Sequence, residues 1–577
     1  MMFHAYYAIN LCINNNPILK QVILFIHLLT LASFFKANAQ LLTNKEKHTR
    51  QDTLRGMLNK HRIWWDVNHY DLKIHPDINK FSIRGSNKIS FTIVDKPSGM
   101  MQIDLQEPLK MYQVLFDNKP VSYKNDGNVW YLKIPKHLKK DERHEVMILF
   151  QGIPKPALHP PWDGGIVWQK DKLGNPWIGT ACQGLGASSW WPCKDHQSDK
   201  PDSATIHITA PDTLMNISNG RLRSVTTNAD KTKTWSWHVS NPINSYNLTM
   251  NIGKYAQWQD TFHGIKGVLT LDYFVLENNL DKAKKQFEQT RPMLRAFEYW
   301  FGAYPFYEDG YKIVQTPYLG MEHQSAIAYG NEFKNGYQGK DLSKTGQGLK
   351  WDFILVHESG HEWFGNNITT KDVADMWVHE GFTNYSECLY MNSVFDKPSA
   401  NEYIIGLRGN VQNDKPVIGP YHVNKEGSGD MYYKASNMLH TIRQLTDNDS
   451  IFRAMLMAMN KQYQHSTVTT QIIEGFMSEF LGIPLQKIFD QYLRTTQIPV
   501  LEYKLENDGS SQKLAYRWSD CVDEFNMKIK IPVQKDTSSW VQPGREWQSI
   551  VVNFPDSVAI DQLWDPNFYV EYKQVNQ

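Results

Sequence analysis

Between residues 355 and 387 the chain reads LVHESGHEWFGNNITTKDVADMWVHEGFTNYSE, and its titratable groups restrict the fold more than any other feature. His357 and His361 stand one helical turn apart, Glu358 follows the first, and eighteen residues separate His361 from Glu380. Leu355, Val356, Trp363 and Phe364 flank the histidines, so a helix carrying them is set into a core, where unpaired imidazoles and carboxylates are costly. Positions four apart share a helix face, so the two rings project to one point and Glu358 reaches the space beside it. Two neutral imidazoles and a carboxylate are the protein share of a catalytic Zn²⁺ site, which keeps a fourth position for water. Glu380, returned by a second helix containing WVHEGFTNYSE, is the third ligand on this reading. The competing reading is a core helix with solvated histidine edges.

Composition limits the alternatives. With 41% hydrophobic residues and 19 Trp in 577 residues, the chain has ample material for two to four folded domains. Lys plus Arg number 61 against 60 Asp plus Glu, a balance that gives no electrostatic footprint for nucleic acid. After Lys20 the apolar run VILFIHLLTLASFF precedes KANAQ, where Ala37 and Ala39 form a small-x-small cleavage pattern. Residues 1–39 therefore read as a signal peptide, the alternative being an uncleaved anchor, and no later segment is apolar enough to span a bilayer. Localisation is then periplasmic or extracellular. Cys182, Cys193, Cys388 and Cys521 lie too far apart for a disulfide scaffold or a zinc knuckle and read as buried thiols.

Residues 40–62 form a polar lead-in. From 63 to 255 apolar residues alternate, as in KISFTIV, VWYLKI, EVMILF and TWSWHV, which predicts an antiparallel β saddle or sandwich. The period then changes. Ala283, Phe287, Leu294, Phe297 and Phe301 mark one face of an amphipathic helix, and helices are also expected near 350–364, 380–394, 432–447, 451–463, 470–481 and 485–494. A mainly helical domain at 256–499 and a small β domain at 500–577 complete an α+β multidomain chain. Because the chain ends soon after the second β region, an open cleft is expected.

HESGHEWFGN followed by WVHEGFTNYSE resembles the zinc aminopeptidases of the aminopeptidase N type, gluzincins with the pattern H-E-x-x-H, eighteen residues, then E. That family has a thermolysin-like catalytic domain and carries a second motif, G-A-M-E-N, on an edge strand; here LGMEH occupies 319–323. Its Y-x-K-G segment corresponds to YYKA at 432–435, and its β-domain stretch to TACQ at 180–183 with WWPCKD at 190–195. The resemblance implies one zinc per chain and peptide substrates with a free amino terminus. It assigns Glu358 as base and then acid, Tyr432 as oxyanion donor with Tyr433 as rival, and Glu322, Gln183, Gly320 and Met321 as substrate-binding residues. Leu319, His323, Ser359, Gly360 and Ala435 depart from the family pattern. Glu387, two turns beyond Glu380, is a candidate to orient a ligand imidazole, with Asp375 as the alternative. His379 reads as a helix-surface residue, and Tyr318, Trp363 and Phe382 as core packing or as a pocket wall.

The implied reaction is zinc-dependent hydrolysis of the amino-terminal peptide bond by metal-activated water. The alternatives are a zinc endopeptidase or other hydrolase on the same scaffold, and an inactive peptide-binding protein.

Overall fold

The computed structural model describes residues 48–161, 163–508, 511–555 and 559–575. The proposed signal peptide and residues 40–47 of the lead-in lie outside them. Among the described residues, one compact unit runs to Thr496 and includes Asp565–Tyr569; the other comprises Gln497–Trp564 and the residues from Val570.

In the first unit, alternating residues build an eight-stranded sheet in the order Arg221–Thr227, Thr232–Val239, Ser203–Pro211, Trp65–Asp77, Ser82–Ile93, Arg143–Gly152, Lys110–Phe116 and Lys119–Pro120. Tyr70, Leu72 and Ile74 face one side with Ile89 and Phe91, all fully buried, while the intervening residues are more exposed, as period two requires. One junction departs from the antiparallel expectation, because Trp65–Asp77 pairs in parallel with Ser203–Pro211, His69 opposite Ser203. A parallel neighbour needs a long crossover. Here the intervening chain carries a three-stranded sheet, the strands Gly165–Lys170 and Pro176–Ala181 of a four-stranded one, and the buried pair Trp190 and Trp191. It also delivers Gln183, just beyond strand Pro176–Ala181.

The strand Tyr255–Gly264 opens a mixed five-stranded sheet that continues through Gly267–Leu276, Tyr311–Gln315 and Ile327–Tyr329 to the edge strand Gly320–Met321. Ten helices are described: α1 (Arg50–Gly56), α2 (Leu280–Gln286), α3 (Thr290–Phe301), α4 (Phe353–Gly360), α5 (Trp377–Val394), α6 (Lys397–Gly406), α7 (Tyr433–Thr446), α8 (Asp449–Gln462), α9 (Thr470–Leu481) and α10 (Gln486–Arg494). The single amphipathic helix expected from Ala283 to Phe301 is two, joined by the 3₁₀ turn Phe287–Gln289. Pro292 sits in the first turn of α3, where its missing N–H does no harm but a continuous helix would be broken. Helix α6 was absent from the sequence expectation, having little amphipathic signal.

The four cysteines of the described chain are buried free thiols. In the second unit, Val500–Asp508, Ser511–Ser519, Gln548–Val552 and Glu571–Gln574 form a four-stranded sheet beside the hairpin Ile529–Gln534 and Thr537–Val541.

Helix α5 is buried on every side from Trp377 to Met391, so small residues decide how closely its neighbours approach. A Cβ at Gly381 would lie 2.7 Å from the Ala435 Cβ on α7, and one at Gly360 would lie 2.5 Å from the Ser386 Oγ. Gly360 ends α4 rather than interrupting it, so the helix-propensity cost expected for an interior glycine does not arise. Ser359, the other departure in this helix, bonds Leu355 O at 2.6 Å and the Tyr311 hydroxyl at 2.7 Å. Gly381→Ala is expected to lower the unfolding free energy by about 1–3 kcal/mol through overpacking. In a double-mutant cycle followed by chemical denaturation, Ala435→Gly should recover part of that loss, whereas simple additivity would exclude the contact as its cause.

Candidate active site

Helix α4 starts where it does because Asp352 caps it, accepting the Leu355 N–H at 3.2 Å. The same carboxylate accepts from Tyr329 at 2.6 Å, Gln286 at 2.7 Å and Asn331 at 2.8 Å, which ties the helix start to the sheet and to α2. After Gly360 the chain turns, so His361 is the helix C-cap rather than an interior residue. Helix α5 then returns Glu380, Asn384 and Glu387 on one face, at spacings of four and three.

The Glu380 Oε2 lies 3.3 Å from His361 Nε2 and 3.6 Å from His357 Nε2. One donor atom from each of the three residues falls within 4.8 Å of the other two, and all three side chains are buried. Each ring is turned by a partner at its far nitrogen. His357 Nδ1 lies 2.7 Å from Glu387 Oε1, and Glu387 is itself held by Tyr403 at 2.6 Å and Asn384 at 2.9 Å. His361 Nδ1 lies 3.0 Å from the Phe364 carbonyl and 3.1 Å from Thr383 Oγ1. Both Nε2 atoms therefore face the same point, where loss of their protons to an incoming metal would free two lone pairs. Asp375, the alternative partner, is engaged elsewhere, accepting from Thr470 at 2.6 Å and Tyr421 at 2.7 Å.

The three side chains balance one another's charge at that point. Burial opposes ionisation of Glu380, yet the two imidazoles reverse this and hold its carboxyl well below the usual range. Burial likewise opposes charge on His361, and Glu380 outweighs it, raising the ring to about 9. Glu380 Oε2 is enclosed and accepts no hydrogen bond. An orphaned, ionised oxygen facing two oriented imidazoles fits a divalent N/O-binding metal such as zinc. The second grouping of donor atoms, Glu322, Glu358 and His361, shares His361 with the first and marks the same convergence.

A cavity of about 710 Å³ opens over these residues. Burial pushes the Glu358 carboxyl up to about 7 against the pull of His357 and His361. Gly320 lets the edge strand approach, since a Cβ there would lie 2.6 Å from Glu358 Oε1. Met321 lines the cavity beside it. Glu322, at the strand end, accepts from Gln183 Nε2 at 2.7 Å and from the Tyr246 hydroxyl at 3.2 Å. Gln183 Nε2 also reaches Glu380 Oε1 at 3.3 Å, so one β-domain amide bridges two carboxylates of the site. Tyr432 and Tyr433 both line the cavity. The Tyr432 ring stacks on His357 with centroids 6.1 Å apart. Besides burial, Glu380, Glu426, Glu322 and Glu358 raise the Tyr432 hydroxyl, whereas Glu387 and Tyr337 raise that of Tyr433. Tyr432 is thus the one exposed to the carboxylates around the cavity.

One expectation changes, and the roles of two further residues are narrowed. His379 is fully buried, not on the helix surface, and its Nε2 accepts the Thr370 N–H at 2.9 Å. His323 is buried with neither ring nitrogen hydrogen-bonded and does not line the cavity, so this departure lies off the substrate surface. Tyr318 is no wall of this cavity; its hydroxyl donates to Thr180 O at 2.7 Å. Sequence reasoning missed Tyr246, Tyr403, Asn384 and Glu426. Only Asn384 carried a signal, its helical spacing between Glu380 and Glu387.

Residues 66–247 match the sequence model of the peptidase M1 N-terminal domain, and residues 285–492 that of the peptidase family M1 domain. The puromycin-sensitive aminopeptidase of Caenorhabditis elegans is 22% identical over 81% of this chain and 51% of its own length. Probable aminopeptidase 1 of Sulfurisphaera tokodaii is 21% identical over 77% of this chain and 55% of its own. The chain thus spans about half the length of these curated relatives. An M1 zinc metallopeptidase mutant of Deinococcus radiodurans, solved with a Tyr-Ser-Ala substrate, shares the fold with a TM-score of 0.64 at 20% identity, covering 75% of this chain and 96% of that one. A second structure of an M1 zinc metallopeptidase from Deinococcus radiodurans superposes with a TM-score of 0.61 at 20% identity, covering 74% of this chain and 93% of that one.

If Glu387 fixes the His357 ring, Glu387→Gln should weaken zinc binding by roughly 10–100-fold. Competition against a chromophoric chelator measures this, and unchanged affinity would remove that role.

Proposed function

The chain belongs to peptidase family M1, and from that premise we propose that it is a zinc aminopeptidase that removes amino-terminal residues from peptides. The observation carrying the proposal is the pairing of a metal-ready triad with a further buried carboxylate, Glu322, lining the same cavity.

His357, His361 and Glu380 hold the ion, one per chain. The chemistry a bound zinc supplies is Lewis acidity, which polarises a carbonyl and makes water more acidic. Glu358 accepts the proton of the attacking water and passes it to the leaving amine, a role suited to a carboxyl whose pKa burial has moved toward neutrality. As the scissile carbon becomes tetrahedral, its oxygen gains charge. The Tyr432 hydroxyl donates a hydrogen bond there, an interaction worth roughly 3–4 kcal/mol in comparable sites. Burial and Glu380 push the Glu322 carboxyl up while His361 draws it down. An ammonium arriving beside it meets a desolvated acceptor that an acylated amine cannot satisfy, which selects a free amino terminus. Gln183 and Tyr246 aim that acceptor.

Export is a separate proposal, supported by the sequence of residues 21–39. Mass spectrometry of protein recovered outside the cytoplasm should find Gln40 as the first residue; a retained Met1 would contradict it.

Three assays test the activity. Glu358→Gln should keep its zinc and lose turnover by at least about 100-fold, the lower end of a general base's contribution. Aminoacyl anilides with a free amine should be cleaved and their N-acetyl counterparts should not. Glu322→Ala should erase that preference. Equal cleavage of both anilides by the unmodified protein would favour an endopeptidase instead.

A further inference from the structure

Zinc binding, proton transfer and amine recognition leave one carboxylate of the cavity without a use. Glu426 belongs to the loop NKEGSG, upstream of Tyr432, and lines the main cavity together with Gln183 and Gly184. These same three residues also line a narrower recess that continues toward Asp195, His196 and Asp372, so Glu426 stands where the two spaces meet.

The other acids of the recess are satisfied. Asp195 accepts from the Ser188 hydroxyl at 2.5 Å and backbone N–H at 3.1 Å and pairs with Arg55 at 3.4 Å. Asp372 accepts the Ala374 N–H at 3.0 Å and the His422 N–H at 2.9 Å. Among the described residues, no hydrogen-bond donor or ion-pair partner reaches Glu426. Its carboxyl is pushed up to about 7, first by burial and then by Glu380 and Glu322, with Lys415 drawing it down. An unneutralised carboxylate in a partly enclosed cleft is stabilised by an incoming cation and disfavours an apolar group in its place. Glu322, which Gln183 and Tyr246 aim, already receives the α-ammonium. The cation left for Glu426 is therefore on the substrate's first side chain.

We propose that Glu426 makes this site selective for peptides beginning with lysine or arginine, holding the cationic head of that side chain at the mouth of the recess. The proposal rests on the aminopeptidase reading and names its substrate class.

The test uses the zinc-loaded full chain and the anilides of Lys, Arg, Met and Leu. A charge-assisted hydrogen bond of ordinary strength predicts that kcat/KM for Lys and Arg exceeds that for Met by about 10-fold or more. Glu426→Gln should remove that advantage, lowering the basic substrates by a similar factor while leaving Met and Leu within about 3-fold. Calorimetric titration with free L-lysine and L-norleucine supplies a readout apart from turnover. The unmodified protein should bind lysine more tightly, and Glu426→Gln should bind the two alike. Turnover of Met and Leu without a basic preference, or an equal loss on all four substrates, would overturn this proposal alone. No turnover of any anilide would overturn the aminopeptidase reading and this proposal with it.

Discussion

The structure is organised around charge that the core cannot tolerate unpaired. Glu380, Glu387, Glu358 and Glu322 are all buried around two imidazoles, and burying ionised carboxylates without compensation is among the costlier things a fold can do. The geometry distributes the compensation. Glu387 is satisfied by hydrogen bonds from α6 and α5 and Glu322 by two β-domain donors, whereas Glu380 Oε2 accepts no hydrogen bond among the described residues and is faced by the ring nitrogens of His361 and His357 at 3.3 and 3.6 Å. That one deficit, facing two oriented ring nitrogens, turns a buried acidic cluster into a place for a metal.

Such a point needs close and reproducible helix packing. α4 and α5 meet at Gly360, and α5 and α7 at Gly381 against Ala435. Bulk at these contacts would move Glu380 away from the histidines or Tyr432 away from the cavity. The β domain is part of the same arrangement. Its parallel junction places the crossover so that Gln183 enters the site, and Tyr246 follows from the 3₁₀ turn Ser245–Asn247. A mainly helical domain alone would leave Glu322 without its donors.

The sequence made some of this legible because local spacing reports local geometry. His357, Glu358, His361, Glu380 and Glu387 sit on two helices whose periodicity fixes their facing, so the five could be named from positions alone. Alternation located the strands but not the parallel pairing of Trp65–Asp77 with Ser203–Pro211, because pairing partners are set by tertiary contacts far apart in the chain. Pro292 carries a signal for the break between α2 and α3 that an expectation drawn from the apolar stripe alone did not use. Tyr246 and Tyr403 carried no pattern, since each reaches the site from an element whose placement local sequence does not encode. His379 shows the converse error: a polar residue on a helix was assigned to the surface, whereas α5 has no exposed face over that stretch.

The central claim is that His357, His361 and Glu380 hold one metal ion between them. Anomalous difference maps from crystals of the zinc-loaded protein, recorded above and below the zinc absorption edge, address it directly. The account predicts a single strong peak bounded by the two Nε2 atoms and the Glu380 carboxylate, present only above the edge. No peak there, or one centred on other side chains, would contradict it.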